Sequence, residues 1–406
     1  MILMMEDYVK TAYRDIKNRK KRSWLTMIGI IIGVAAVVSL VSLGQGLKDG
    51  MNAEFDKMGA EIIMIMPGSG FQSMGSAGSS LTKDDVEVIK KVRGVNLAGG
   101  FLTKIAKVEF GNEMKYSWVS GLPLDESKEI IDNMDSHNIE NGRDLKRGDT
   151  YKTMVGNTVA NGDFFKKKVR AGDYVMINGK KFRVVGTLER IGNPDDDQAF
   201  MIPLETARDL FDEPDNLMVI MANIKPGFDA SDVAENIKKA MRKDRDQEKG
   251  EEDFSVQTAE QLKETVASIL NLVQAVLIGI AGISLLVGGI GIMNTMYTSV
   301  LERTRDIGVM KAIGARNVNI MWIFLIESGI IGMTGGAIGC AIGISISKSI
   351  EYLSSAQLGV NYLKASVAPE LIIGALSFSF LVGMLSGTLP AMRAARLKPT
   401  DALRYE

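Results

Sequence analysis

The sequence predicts a membrane protein of four transmembrane helices carrying one large α+β domain outside the bilayer. Three observations predict it. Long uncharged, apolar stretches lie at 25–43, 265–301, 317–326 with 328–347, and 371–392, and runs of that length suit a bilayer. Basic residues crowd the flanks on one side of those stretches, as cytosolic loops do. The segment 44–265 contains alternating and β-branched runs among polar, charge-rich sequence, the pattern of strands in a soluble domain.

The first span reads Leu25 to Leu43 without a charge. At the helical rise it crosses roughly 28 Å, close to the hydrocarbon thickness. Lys20, Lys21 and Arg22 precede it, which invites the competing reading of a cleaved signal peptide. The apolar stretch is long for a signal core and no alanine-type cleavage site follows, so a retained span over 25–43 is expected. Ahead of it, Tyr8, Val9, Ala12, Tyr13 and Ile16 share one helical face, and Lys10, Arg14 and Lys17 the other. Residues 1–24 are therefore expected to hold a cytosolic amphipathic helix on the inner membrane surface. A plain extension of the first span is the alternative.

The second apolar stretch exceeds a bilayer's need, so 266–298 is expected to be a stalk running into a transmembrane helix. The third span is expected over 319–347 and the fourth over 371–392, with a short outer loop at 348–370. Arg303, Arg305, Lys311 and Arg316 lie between spans two and three, and Arg393, Arg396, Lys398 and Arg404 in the tail 393–406. With the basic leader they place both termini in the cytosol and 44–265 outside the plasma membrane. Trp24 and Trp322 stand at the inner interface, where amphipathic rings settle.

Small residues recur at four-residue spacing in the spans, among them Gly29 with Gly33, Gly332 with Gly336, and Gly383 with Gly387. Such rows let helix backbones approach closely. Packing within the chain is one reading. The sharper one makes Gly29 and Gly33 candidates for a seam between two copies.

Near-zero net charge, −1 over the chain, argues against a nucleic-acid partner. Cys340 is the only cysteine and His137 the only histidine, which removes an internal disulfide and most His-based catalysis. No Ser/His/Asp or Cys/His arrangement is legible, and no metal or cofactor is expected on this chain. Asp195, Asp196 and Asp197 near Asn193 match no cation-loop spacing and are expected in a solvated loop.

Within 44–265, strands are expected at Glu61–Met66, Ile105–Phe110, Tyr174–Ile177, Phe182–Leu188, Phe200–Ile202 and Met218–Ile224, and helices at 82–92, 203–211 and 230–243. Asn178-Gly179 marks a hairpin, and 67–80 reads as a Gly/Ser loop. An α+β domain of two lobes fits.

The link 299–318 is short and dense. Ile307, Met310, Ala312 and Ile313 stand among both signs of charge. Four apolar residues in a short exposed loop call for a cover, and a partner protein supplies one. Glu327 lies inside the third span, roughly 10 Å from its start. An acid at that depth is paired or functional.

With these residues in hand, the chain resembles the MacB/FtsX/LolC-E superfamily of ABC transporter permeases, most closely MacB-type macrolide-exporter permeases. The resemblance covers nearly the whole chain. It rests most specifically on Gly288-Gly289-Ile290-Gly291-Ile292-Met293-Asn294 through Glu302-Arg303-Thr304-Arg305-Asp306-Ile307-Gly308 to Gly314-Ala315, and on Leu389-Pro390-Ala391-Met392-Arg393-Ala394-Ala395-Arg396. Ile202-Pro203-Leu204-Glu205-Thr206-Ala207 in the outer domain is similar too. The family usually has Glu where Asp306 stands here.

The resemblance implies a homodimeric type VII ABC permease. Its coupling loop to the ATPase would comprise Glu302, Arg303, Arg305, Asp306, Ile307, Gly308, Lys311 and Gly314. ATP and Mg would be held by the partner ATPase, and closure of the ATPases would drive the outer domains through the helices, a mechanism termed mechanotransmission. No G-x-x-x-x-G-K-[ST] phosphate loop occurs in the sequence, so a separate ATPase chain is expected, and a membrane-fusion adaptor is a further candidate partner. Export of a drug, peptide or lipophilic compound is the leading expectation. Lipoprotein extraction or FtsX-like control of a cell-wall hydrolase is the alternative. A membrane sensor would need a cytosolic output region larger than the tail after Met392.

Overall fold

The computed structural model describes residues 20–59, 61–68, 81–132, 137–357 and 364–403. The amphipathic helix expected ahead of the first span, and the Gly/Ser loop from residue 69 on, lie outside the described residues. The chain forms two compact units. One holds the described residues up to 48, those of 269–354 and those from 364 onward; the other is built on 49–268.

Four helices, lying mostly in the first unit, are long and apolar enough to cross a membrane: Met27–Ala53, Ala259–Glu302, Asn317–Ala356 and Pro369–Arg396. They are called spans one to four below. Their core joins Ile30, Val34 and Val38 of span one to Leu285, Ile292 and Met296 of span two, Phe324 and Cys340 of span three, and Ala391 of span four. In lipid no hydrophobic drive separates these faces from their surroundings, so close packing at small residues selects which faces meet. A Cβ built on Gly29 would stand 2.7 Å from the Cα of Gly288, and one on Gly33 would stand 2.8 Å from the Leu285 Cγ. Gly339 and Gly343 meet span one in the same way, at the carbonyls of Ile31 and Ala35. Gly332 and Gly383 close the joint between spans three and four.

These contacts put Gly29 and Gly33 in packing within the chain, the first of the two readings of their spacing. Span two of the same chain already fills that face, because glycine on both helices lets the two backbones touch.

The outer domain is built on one sheet in the order β12-β1-β11-β3-β4-β9-β6-β8-β5, with β7 pairing β3 and β8. Here β1 is Ile62–Pro67, β3 Val95–Phe110, β4 Glu113–Leu122, β5 Ile139–Gly142, β6 Lys152–Val155, β7 Tyr174–Ile177, β8 Lys180–Leu188, β9 Phe200–Pro203, β11 Val219–Ile224 and β12 Phe254–Thr258. The short β2, Leu81–Thr82, pairs separately with β10, Asn216–Leu217. Strand β3 is the spine. Its first half pairs β11 and its second half pairs β4 and β7, so the two expected lobes share one continuous sheet. The Asn178-Gly179 hairpin forms as the sequence indicates: both residues take positive φ, 46° and 76°, as a two-residue turn between twisted strands requires.

The helices Lys83–Lys90, Leu204–Phe211 and Ala230–Asp244 lie within about two residues of expectation. The Asp195–Asp197 loop is corrected. Asn193 caps a short helix, Pro194–Asp197, and Asp197 is buried, accepting the N–H groups of Ile191 and Gly192 at 2.8 and 2.9 Å. Strands β4, β5, β6 and β12 escaped the sequence reading.

Candidate coupling site

The link between spans two and three folds into a helix of its own, Thr304–Ala312. It starts where span two ends at Glu302. The hydroxyl of Thr304 donates back to the carbonyls of Val300 and Leu301 at 3.1 and 2.8 Å. The Ile307 N–H donates to the Arg303 carbonyl at 3.0 Å. These bonds stitch the short helix onto the end of span two.

Its other end closes with glycine. Gly314 has φ +102°, the left-handed conformation that residues with a Cβ avoid. The Gly314 N–H donates to Lys311 O and the Ala315 N–H to Met310 O, at 3.1 and 3.0 Å. That pair of bonds is the Schellman closure of a helix C-terminus.

The 3.6-residue period sorts the helix into two faces. Thr304, Ile307 and Gly308 are buried, with Ile307 wholly inside the cluster that unites the spans. Met310 packs against that cluster in part. Arg305, Asp306 and Ala312 are exposed, with Val309 at 48% and Ile313 at 81%. This corrects the expectation of an exposed apolar set at Ile307 and Met310. The outward apolar residues are Val309, Ala312 and Ile313, bordered by Glu302, Arg305 and Asp306.

Two polar ties fix the inward face. Arg303 Nη1 lies 3.3 Å from Glu327 Oε2, which places the intramembrane acid in an ion pair at the root of the helix. Lys311 Nζ donates to the carbonyls of Ala395 and Leu397 at 2.6 and 2.7 Å. Those carbonyls end span four, where the helix dipole favours a cation. The tail helix Pro399–Leu403 packs against the same short helix, and Ala402 is buried. Nearby, the Arg393 guanidinium sits over the Tyr297 ring at 4.8 Å. The sequence carried no sign of the Lys311 tie, because its partners are backbone atoms more than 80 residues away. The link, the end of span four and the tail thus form one knob with an outward apolar stripe.

One other cluster gathers ionisable groups. His137, the only histidine, is buried with Nε2 3.3 Å from Asp144, and ligand atoms of Asp132, His137 and Asp144 lie within 4.8 Å of one another. The Lys128 ammonium already sits 2.5 Å from both carboxylates, so the chain's own cation occupies the place a metal would take. Burial works to raise the Asp144 carboxyl, but its hydrogen bonds with His137 and Lys128 outweigh this and hold it at about 2. The arrangement is a structural clasp.

The family model of the MacB-like periplasmic core domain matches residues 23–240, and that of the FtsX-like permease C-terminal region matches residues 278–399. The chain belongs to the MacB/FtsX family of ABC transporter permeases. The short helix between spans two and three lies inside the FtsX-like match, and every strand of the outer domain's sheet except β12 lies inside the MacB-like one. An uncharacterized ABC transporter permease of Methanocaldococcus jannaschii is 40% identical to this permease, over 100% of this chain and 99% of the relative. The ABC transporter permease YknZ of Bacillus subtilis is 29% identical over 98% of each. The macrolide export ATP-binding/permease protein MacB of Hyphomonas neptunium is 31% identical; all of this permease matches 62% of that longer protein. The solved periplasmic region of MacB from Actinobacillus actinomycetemcomitans aligns with a TM-score of 0.44 at 15% identity, covering 53% of this chain and 97% of that one.

Proposed function

We propose that this permease couples ATP hydrolysis on a separate ATPase chain to movement of its outer domain, for export of a drug, peptide or lipophilic compound. The observation that carries the reading is the two-sided helix Thr304–Ala312. Its inner face is tied to three spans through Ile307, Arg303–Glu327 and Lys311, while Val309 and Ile313 face outward among charges. A partner gripping the outward stripe would move the spans with it. ATP and Mg belong on that partner. Two relatives covered almost end to end are named as permeases, whereas the longer MacB is named as ATP-binding and permease in one chain, which supports an ATPase in trans. The macrolide-export name of MacB supports the substrate class.

Both termini are cytosolic in this reading, and the assembly is a homodimer. With Gly29 and Gly33 engaged inside the chain, span two offers the seam: a Cβ built on Gly279 or Gly282 would meet no packed neighbour within 4 Å, and Ile283 and Leu286 beside them are exposed. An adaptor protein would join on the outer side.

The test replaces Val309 and Ile313 with Asp together. Ile307 is unsuited, since a charge there would enter the span core. Capture of the ATPase by the tagged permease is expected to fall at least ~10-fold, the size of a hot-spot loss, with membrane levels unchanged. Undiminished capture would refute docking at this helix.

A further inference from the structure

Strand β3 carries one face through two different surroundings. Phe101 is buried in the cluster of Met64, Ile130 and Leu262, and Leu97 packs against it. Two strand periods past Phe101 the same face is open: Ile105 is 58% exposed. Alternation puts Lys107 and Glu109 on that side as well.

The neighbouring strands widen the open area. The register sets Ile105 opposite Trp118, Lys107 opposite Tyr116, and Glu109 opposite both Met114 and Met176. On β8, Lys181 stands opposite Met176 and Arg183 opposite Tyr174. Tyr116 is 68% exposed, Met114 56% and Tyr174 52%. The other side of the same strands is fully buried at Val108, Val119 and Ile177, so the ladder holds the bare side rigid.

A sheet face meant for water alternates to polar residues. This one presents tyrosine, methionine, isoleucine and arginine, largely the composition enriched at protein interfaces. Its charge is divided: at the β4 edge Asp195 accepts the Trp118 indole N–H at 3.2 Å, while Lys181 and Arg183 stand at the β8 edge. Lys107 and Glu109 pair at 2.6 Å. The Lys181 ammonium lies 4.2 Å from the centre of the Tyr174 ring, and Arg183 makes no ion pair among the described residues. A second copy would bring the same two cations against this face. A partner bearing carboxylates would neutralise them.

We propose that the open face of β4, β3, β7 and β8 docks an extracytoplasmic protein whose contact surface sets acidic side chains around an apolar centre. The proposal rests on the outer placement of this domain and needs nothing from the ATPase-facing helix.

The test places the photo-crosslinking residue benzoylphenylalanine at Tyr116 in the full chain, in membranes of its native host, and identifies the product peptide by mass spectrometry. The expected result is one recurrent protein, joined through a segment containing Asp or Glu. Its yield should fall at least ~5-fold in Lys181→Glu/Arg183→Glu and on raising salt, as an electrostatically steered contact does, while Lys181→Arg retains it. A product with a second copy of this chain, a product with lipid alone, no product, or a yield indifferent to charge reversal would each overturn the proposal. The same probe at Ile313 reports ATPase docking separately, so failure of either reading is visible by itself.

Discussion

Arg303 reaches Glu327 at 3.3 Å, with the two side chains only 21% and 12% exposed. The pair spans the joint between the end of span two and the body of span three. An acid inside a span is costly alone, and the arginine makes it tolerable. Removing one member of a buried pair costs up to roughly 3–5 kcal/mol, because the other charge loses part of its neutralisation. Glu327→Gln is therefore expected to loosen the short helix and lower substrate-linked stimulation of the partner ATPase. Joining it with Arg303→Met should restore part of the loss, since the charge that Glu327 balances goes with it. Hydrogen exchange across 304–312 reads the loosening. Equal exchange in wild type and Glu327→Gln would show that the pair does not position the helix.

Lys311 makes a second tie, to two carbonyls at the end of span four. Lys311→Met keeps the stem but leaves both carbonyls without that donor, at about 1–3 kcal/mol for half-buried groups. ATP hydrolysis and transport should separate in this variant, with hydrolysis continuing and export falling. Lys311→Arg should retain most of the coupling because it still donates. If Lys311→Met exports normally, span four does not follow the coupling helix through this contact.

Gly29 tests the packing of spans one and two. A Cβ there would meet the backbone of Gly288 at 2.7 Å, and backbone cannot step aside as a side-chain tip can. Gly29→Ala is expected to cost about 1–3 kcal/mol by overpacking. The effect should appear in the monomer, as lower thermal stability and weaker cross-linking between cysteines placed in spans one and two of one chain. Cross-linking between copies, if it fell first, would return Gly29 to the subunit seam.

Much of this was legible in the sequence for a physical reason. Spans announce themselves because lipid forbids charge over some twenty residues, and the Asn178-Gly179 turn because few residue pairs tolerate two positive φ values. Strand β4 was missed because its outward side carries Met114, Tyr116 and Trp118 beside Lys115, which blurs the polar–apolar alternation that marks a strand. Ile307 was misread as exposed because a nine-residue helix shows too few turns to say which of its faces turns inward. Lys311 and Gly29 gave no sign of their partners, since both contacts are with backbone, which no residue type encodes.

The last prediction concerns acid. Asp144 is half-buried and held at about 2, against 3.8 for the free carboxyl, because the hydrogen bonds with His137 and Lys128 outweigh the opposing effect of burial. A carboxyl depressed in the folded state contributes stability above its unfolded value and loses it as pH falls through the folded one. The contribution is therefore complete above about pH 5 and disappears between roughly pH 4 and pH 2, a loss of about 2 kcal/mol. Asp144→Asn removes the titrating group and leaves Lys128 with Asp132 as its carboxylate partner. It should weaken the outer domain at neutral pH and flatten the acid dependence. Hydrogen exchange of β5 and β8 in the full chain, followed from pH 6 to pH 2, measures both effects. An unchanged acid profile in Asp144→Asn would assign the acid sensitivity to another depressed carboxylate, for which Asp149, held low by Arg143 and Lys152, is the next to replace.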